Sequence, residues 1–237
     1  MKKKRRLRDH LFNLFLLLLL IVGLALVFNN KIKTLIMKHN TESYAVATVT
    51  PEEIKANEQQ EASFDFEAVK SASAQAVFQT LLSKEKLPLV GGVALPQVKI
   101  NLPIFKGLSN EALLWGAGTM WPDQKMGEKN YSLASHRGAD PGYLFEALDQ
   151  TKVGDPIYLT DLTNIYVYTA TLNITVAPTE TQYIEPVADK KLVTLITCND
   201  DYGTKRVVVQ GELSGVHPVA EASDGEIAAF NLENKTY

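Results

Sequence analysis

A single cysteine stands in this chain of 237 residues, so no disulfide can form within it. A leftover cysteine in an oxidising compartment points to a reactive thiol or to intermolecular pairing, and its bland alternative is a small buried apolar residue. Histidine is scarce, with four in all. No internal repeat or low-complexity segment is visible, which excludes a repeat array. Beyond residue 28 there is no long apolar run, so at most one membrane span is expected. Six of the 24 basic residues fall within the first eight positions, together with none of the 27 acidic ones. After residue 30 the chain carries 18 basic and 26 acidic residues, a net of −8. Such a surface has no charge attraction to nucleic acid, and no nucleic-acid role is expected.

What is present begins with that basic cluster, Lys2, Lys3, Lys4, Arg5, Arg6 and Arg8. Leu11 to Phe28 follows without a charged residue. Eighteen residues of helix reach roughly 27 Å, close to the thickness of a bilayer core. A cleaved signal peptide would have a shorter apolar core and a small-residue cleavage site just beyond it. Here the run ends in Leu26-Val27-Phe28-Asn29-Asn30, and Ala45-Val46-Ala47 lies too far downstream. The expectation is therefore a retained signal anchor in the cell membrane. Its N-terminus is cytoplasmic by the positive-inside rule, and the rest of the chain is outside.

The organisation expected is a basic segment over 1–10, a transmembrane helix over 11–28 and a partly helical, solvated stalk over 29–85. A catalytic domain over 86–217 and a polar tail over 218–237 follow. Thr50-Pro51-Glu52-Glu53 reads as a helix start with a capping box. Residues 65–83 read as a helix with Val69, Val77 and Leu81 on one face. From Leu89 short β-rich runs alternate with Gly, Pro, Asn and Asp. Strands are predicted at 92–100, 112–116, 131–135, 156–159, 164–176, 192–197 and 205–213, with a short helix near 143–148. In the fifth of these, Tyr166, Tyr168, Ala170, Leu172, Ile174 and Val176 share one face. The pattern is that of an all-β sandwich or barrel.

Cys198 ends the run Leu192-Val193-Thr194-Leu195-Ile196-Thr197. A strand end fixes the backbone while leaving the sulfur open. If the strands on either side of residues 199–205 pair as a hairpin, Arg206 lies near Cys198. A cation there favours the reactive thiolate and can donate hydrogen bonds to an oxyanion or a carbonyl. The competing reading is a surface Arg on an edge strand. Of the histidines, His10 is at the membrane border, His39 in the stalk and His217 at the domain's end. His136 follows Tyr131-Ser132-Leu133-Ala134-Ser135 and so also leaves a strand end. Cysteine acyl chemistry needs such a group to protonate a leaving amine and deprotonate an incoming one.

Thr194-Leu195-Ile196-Thr197-Cys198, with Arg206 eight residues on, resembles the active-site signature of the sortases. Leu133-Ala134-Ser135-His136 resembles their His motif. Asn101-Leu102-Pro103-Ile104-Phe105-Lys106-Gly107 and Gly116-Ala117-Gly118-Thr119-Met120 resemble early strands of the class A branch. The match covers roughly residues 88–216. It implies a closed β-barrel of about eight strands and a cysteine transpeptidase acting on LPXTG-bearing surface proteins. It implies that Cys198 attacks the Thr carbonyl, that His136 carries the proton and that Arg206 holds the substrate or the oxyanion. The acceptor would be an amine of a lipid-linked peptidoglycan precursor or a cell-wall peptide. Thr197 would line the oxyanion region, and Ala134, Thr194 and Ile196 would be substrate-binding.

The loop Arg137-Gly138-Ala139-Asp140-Pro141-Gly142 departs from many class A members, and an Arg after the His also occurs in pilus-type sortases. Those usually carry a lid and a second membrane span, and neither is visible here. Some class A enzymes bind calcium through loop acids, and Asp123, Glu128, Glu180 and Glu185 lie in loops. Their spacing requires no metal, and no cofactor is expected. An L,D-transpeptidase-like crosslinker would place its Cys after a His-Gly or Ser-x-Gly element with an Arg about two residues on, unlike Cys198 and Arg206. A papain-like hydrolase has Cys before His. The non-enzyme alternative is an anchored surface module with an inert thiol.

Overall fold

The computed structural model describes residues 2–66, 68, 69, 73, 75–77, 80, 86–138, 143–200 and 203–230. Helix α1 (Lys2–Val27) contains a 19-residue segment, Asp9–Val27, long and apolar enough to cross a bilayer and wholly unburied. Helix α2 (Asn29–Ser43) follows almost without a break. Phe28 N donates to Leu24 O and Ile32 N to Phe28 O, each at 2.9 Å, so helical bonding runs through the joint.

Eight strands close into a barrel. They are β1 (Leu89–Leu95), β2 (Ile100–Phe105), β3 (Ala117–Thr119), β4 (Asn130–Ala134), β5 (Pro156–Thr160), β6 (Asn164–Val176), β7 (Leu192–Cys198) and β8 (Arg206–Pro218). Around the barrel the order is β1-β2-β3-β4-β7-β8-β6-β5, with β5 returning to β1. Pairs β2–β3 and β4–β7 are parallel and the others antiparallel. The interior is filled by side chains such as Val93, Ile104, Phe105, Leu133, Tyr168, Val193, Leu195 and Val209. This is the barrel that the resemblance implied.

Several local expectations change. The apolar run at 112–116 is mostly helix: Ser109 caps α4 (Asn110–Trp115) by accepting from Ala112 N at 3.1 Å. The predicted helix near 143–148 is a 3₁₀ turn at Glu146–Gln150. On β6 the alternation holds from Tyr168, buried against exposed Thr169 and Thr171. Ile165, on the other face, is equally buried.

That second buried face corrects the stalk. Helix α3 (Pro51–Asn57) has the expected capping box, with Glu53 N bonded to Thr50 Oγ1 and Thr50 N to Glu53 Oε2. It lies on the barrel, not away from it. Val46 and Ile54 form an apolar cluster with Ala94, Ile165 and Phe230. Each fully buried side chain of this size contributes roughly 1.5–3 kcal/mol. Asn57 Nδ2 donates to Leu89 O at 2.8 Å, Lys106 Nζ to Glu58 O at 2.6 Å and Leu108 N to Ser63 O at 2.7 Å. Gly107, at φ 84°, makes room for this docking, since a Cβ there would meet Ser63 O at 2.6 Å. The tail is corrected likewise as far as Phe230, the last described residue. Ser223 caps α5 (Asp224–Ala229), and Phe230 behind it is 2% exposed.

Over 65–83, Gln75–Val77 and Thr80 are helical, while residues 61–65 are not. Val77 joins the barrel core and Val69 packs on a separate cluster, so the two do not share one face. Leu81 lies outside the described residues.

Candidate active site

Strands β4, β7 and β8 run side by side, and paired residues on neighbouring strands point to the same side of a sheet. Inward go Leu133, Val193, Leu195 and Val209, all buried in the core. The opposite face carries three rows. Ser132 pairs with Thr194, and Thr194 with Gln210. Ala134 pairs with Ile196, and Ile196 with Val208. Cys198 pairs with Arg206, and the parallel β4–β7 register, extended two residues past its last pair at Ala134 and Ile196, leads to His136 opposite Cys198.

The continuation beyond β4 is held by hydrogen bonds. Ser135 N donates to Ile196 O at 3.2 Å. Thr197 Oγ1 donates to Ser135 O at 2.9 Å, and Ser135 Oγ to Gly116 O at 2.7 Å. His136 O accepts from Phe145 N at 3.2 Å, and Arg137 bridges to Leu144. Gly138 permits this fold-back, since a Cβ there would meet Tyr143 O at 2.2 Å.

On the other side of Cys198 the hairpin is closed by Asn199 N donating to Lys205 O at 3.0 Å. Arg206 Nη1 donates to Gly203 O at 2.8 Å and to Lys205 O at 3.1 Å. A Cβ placed on Gly203 would stand 3.5 Å from Arg206 Nη1 and 3.7 Å from Cys198 Sγ, so the thiol and the guanidinium flank one glycine. Cys198 is free and half-buried.

His136 is half-buried as a residue, but its Nε2 is closed to solvent and has no hydrogen-bond partner among the described residues. Burial pushes the imidazole down to about 4, and the charge of Lys33 on α2 adds to the shift. The ring is neutral at pH 7 and holds an uncommitted nitrogen beside the thiol's row.

The remaining candidates divide. Ala134 and Ile196 lie together one step along the strands from the Cys198–Arg206 pair, half-buried against Leu108, Leu113, Met120 and Ile184. That is an apolar floor leading to the thiol. Thr194 is fully buried, not open to a ligand. Its hydroxyl donates to Asn130 Oδ1 at 2.8 Å and accepts from Gln210 Nε2 at 2.9 Å. Thr197, expected at the oxyanion region, points its side chain inward by alternation, is 3% exposed and spends its hydroxyl on Ser135 O. Its place is to tie β7 to the residue before His136.

Sequence reasoning missed the polar row. Ser132 Oγ donates to Ile184 O at 2.8 Å, Trp121 Nε1 to the same carbonyl at 2.7 Å, and Asn130 Nδ2 to Tyr183 O and Glu185 O at 2.8 and 3.0 Å. These groups pin the β6–β7 connection over the sheet. Alternation with Ala134 was the signal that could have found Ser132. Among the described residues no group of three or more His, Cys, Asp and Glu is placed to hold a metal. Glu180 instead accepts from Ala177 N at 2.9 Å.

A sortase domain model matches residues 93–214. Sortase A of Streptococcus agalactiae is 38% identical over 98% of this chain and 97% of its own length. The chain belongs to the sortase family. Sortase A of Listeria monocytogenes is 41% identical over 93% of this chain and 96% of its own. The crystal structure of the Listeria sortase A has a TM-score of 0.57 at 40% identity, covering 61% of this chain and 99% of that one. The likeness is to class A, and sortases are cysteine transpeptidases, so the chain is an enzyme of that kind. The N-terminal apolar helix fits membrane anchoring of a sortase.

Proposed function

We propose that Cys198 is the nucleophile of this sortase, His136 its proton carrier and Arg206 its charge stabiliser. What supports it most is the pairing of Cys198 with Arg206, together with a β4–β7 register whose extension past Ala134 and Ile196 brings His136 opposite Cys198. In this reading the thiol proton passes to neutral His136 as sulfur attacks the Thr carbonyl of an LPXTG-type signal. Arg206 donates hydrogen bonds to the oxygen that gains charge. The Thr–Gly C–N bond breaks, the imidazolium returns its proton to the leaving Gly amine, and a thioester remains. A cell-wall amine then attacks, His136 takes its proton, and the C–S bond breaks to release the thiolate, which the imidazolium reprotonates. The thiol, imidazole and guanidinium supply all three roles, so the reading requires no cofactor.

Ala134 and Ile196 offer an apolar surface suited to the Leu-Pro part of the signal. The basic residues in the first turns of α1 orient the helix with its N-terminus in the cytoplasm and the barrel outside, where surface proteins and peptidoglycan precursors are found. The test uses the full chain in detergent with a Leu-Pro-any-Thr-Gly peptide and an added amine, followed by intact-mass spectrometry. A thioacyl adduct on the protein and an amide product are expected. Cys198→Ala should lose both, by at least about 10³-fold. Undiminished transfer by that variant would reject the mechanism.

A further inference from the structure

The residue after the proton carrier reaches across the site. Arg137 Nη1 donates to Asn199 O at 2.5 Å, and Asn199 is the residue after Cys198. The guanidinium is steadied from behind by two carboxylates of the 3₁₀ turn, with Nη2 3.7 Å from Asp149 and 3.9 Å from Glu146. Its side chain is 24% exposed, so these attractions are only partly screened. The main chain of Arg137 is fixed by its bridge to Leu144. Asn199 is fixed in turn by its N–H on Lys205 O, at the neck of the hairpin that carries Cys198 and Arg206. A rigid, charge-assisted fork therefore spans from the end of the His strand to the end of the Cys strand.

The strand register alone stops short of this place. The β4–β7 ladder ends at Ala134 and Ile196, and Ser135 adds one more bond. His136 and Cys198 lie beyond it, where each strand turns into its own loop. The Arg137–Asn199 bond sits one residue further out than both. It brackets the pair between the sheet on one side and a hydrogen bond on the other.

We propose that Arg137 is a positioning residue that fixes the separation of His136 and Cys198 by holding the Asn199 carbonyl. The inference rests on the assignment of those two residues to the reaction. The Arg137 guanidinium holds the main-chain carbonyl of Asn199 and belongs to neither the apolar floor nor the thiol row. Its loss should therefore slow the chemical steps and leave peptide binding largely intact. A misplacement of about 1 Å can cost up to about a hundredfold in rate.

The test compares the full chain with R137A, R137K and the double variant E146Q/D149N. Steady-state transfer of the peptide is measured together with the pH dependence of Cys198 alkylation by iodoacetamide. R137A should lower kcat roughly ten- to a hundredfold with KM within about twofold, and should move the midpoint of the alkylation profile. R137K, a single-headed donor, should recover part of kcat. E146Q/D149N leaves the fork in place without its backing and should lose a few-fold in kcat. R137A with wild-type kcat and an unmoved alkylation profile overturns the inference, as does a loss confined to KM. If R137A does not fold, the double variant decides, and wild-type kcat there overturns it. A wild-type chain that transfers nothing removes the transpeptidation reading itself. An active wild type beside an equally active R137A removes only this inference.

Discussion

The barrel has two apolar outer walls that meet different fates. On β1, β5 and β6, Ala94, Tyr158, Ile165 and Val167 lie beneath Val46, Ile54 and Phe230, contributed by the two ends of the chain. On β4 and β7, Ala134 and Ile196 stay half-buried, bordered by the thiol row and by a pinned connection. Both walls follow from strands rich in β-branched residues with two apolar faces. Where the chain covers the wall, area removed from water becomes stability. Where it leaves the wall partly open, the same kind of surface stays available to a ligand, which in the proposed mechanism is the peptide.

The largest effect separating the walls is expected at Arg206. Arg206→Ala removes the charged end of the row and should lower kcat/KM by about 10²–10³-fold without shifting the unfolding midpoint. Arg206→Lys should recover little of it, because one ammonium cannot match the fork. An unfolding midpoint that drops with activity would mean that the residue's role is structural. Next come two isoleucines on opposite walls. Ile54→Ala should cost about 3 kcal/mol in urea unfolding and leave KM unchanged. Ile196→Ala should cost about 1 kcal/mol in stability and raise KM several-fold. If both variants lose stability equally with no change in KM, the two walls are not functionally distinct.

A last effect concerns pH. Burial keeps His136 neutral down to about 4, whereas an unfolded imidazole takes up its proton near 6.5. Between these values the unfolded chain binds more protons, so stability rises with pH across the window. The contribution is complete above about pH 6.5 and is lost as pH falls toward 4. Urea unfolding at pH 4.5 and 7 should show a wider gap for the wild type than for His136→Gln. Equal gaps would assign the acid sensitivity to another group.

What was legible in the sequence was local. The capping box at Thr50, the alternation of β6 from Tyr168 and the hairpin that pairs Cys198 with Arg206 all rest on residues near one another in the chain. Residues 112–116 misled because a short apolar run reads alike as strand or buried helix, and the cap at Ser109 lies outside it. The docking of 46–57 was hidden for another reason. Val46 and Ile54 are isolated among polar residues, and only the far strand β6 and the C-terminal Phe230 give them a partner. The neighbourhood of His136 and Cys198 depends on a parallel pairing across 62 positions, which no local pattern encodes. Motif resemblance reached it and marked Arg137 only as a departure from many class A members; its contact is visible only once Asn199 is opposite.

The joint at Phe28 has a consequence for distance. With α1 in a bilayer, the unbroken helical bonding carries α2 out as a rod of about 22 Å, 15 residues at 1.5 Å each. The far end of the rod is fastened to the barrel, Thr41 Oγ1 to Tyr143 Oη at 2.8 Å, seven residues after His136. Nearer its start, α2 lays Ile36 on the barrel core and brings the charge of Lys33 to bear on His136, so the helix runs along the barrel beside the reactive groups. With α1 in a bilayer, that packing would hold the reactive groups close to the lipid surface, within reach of substrates tethered to the same membrane.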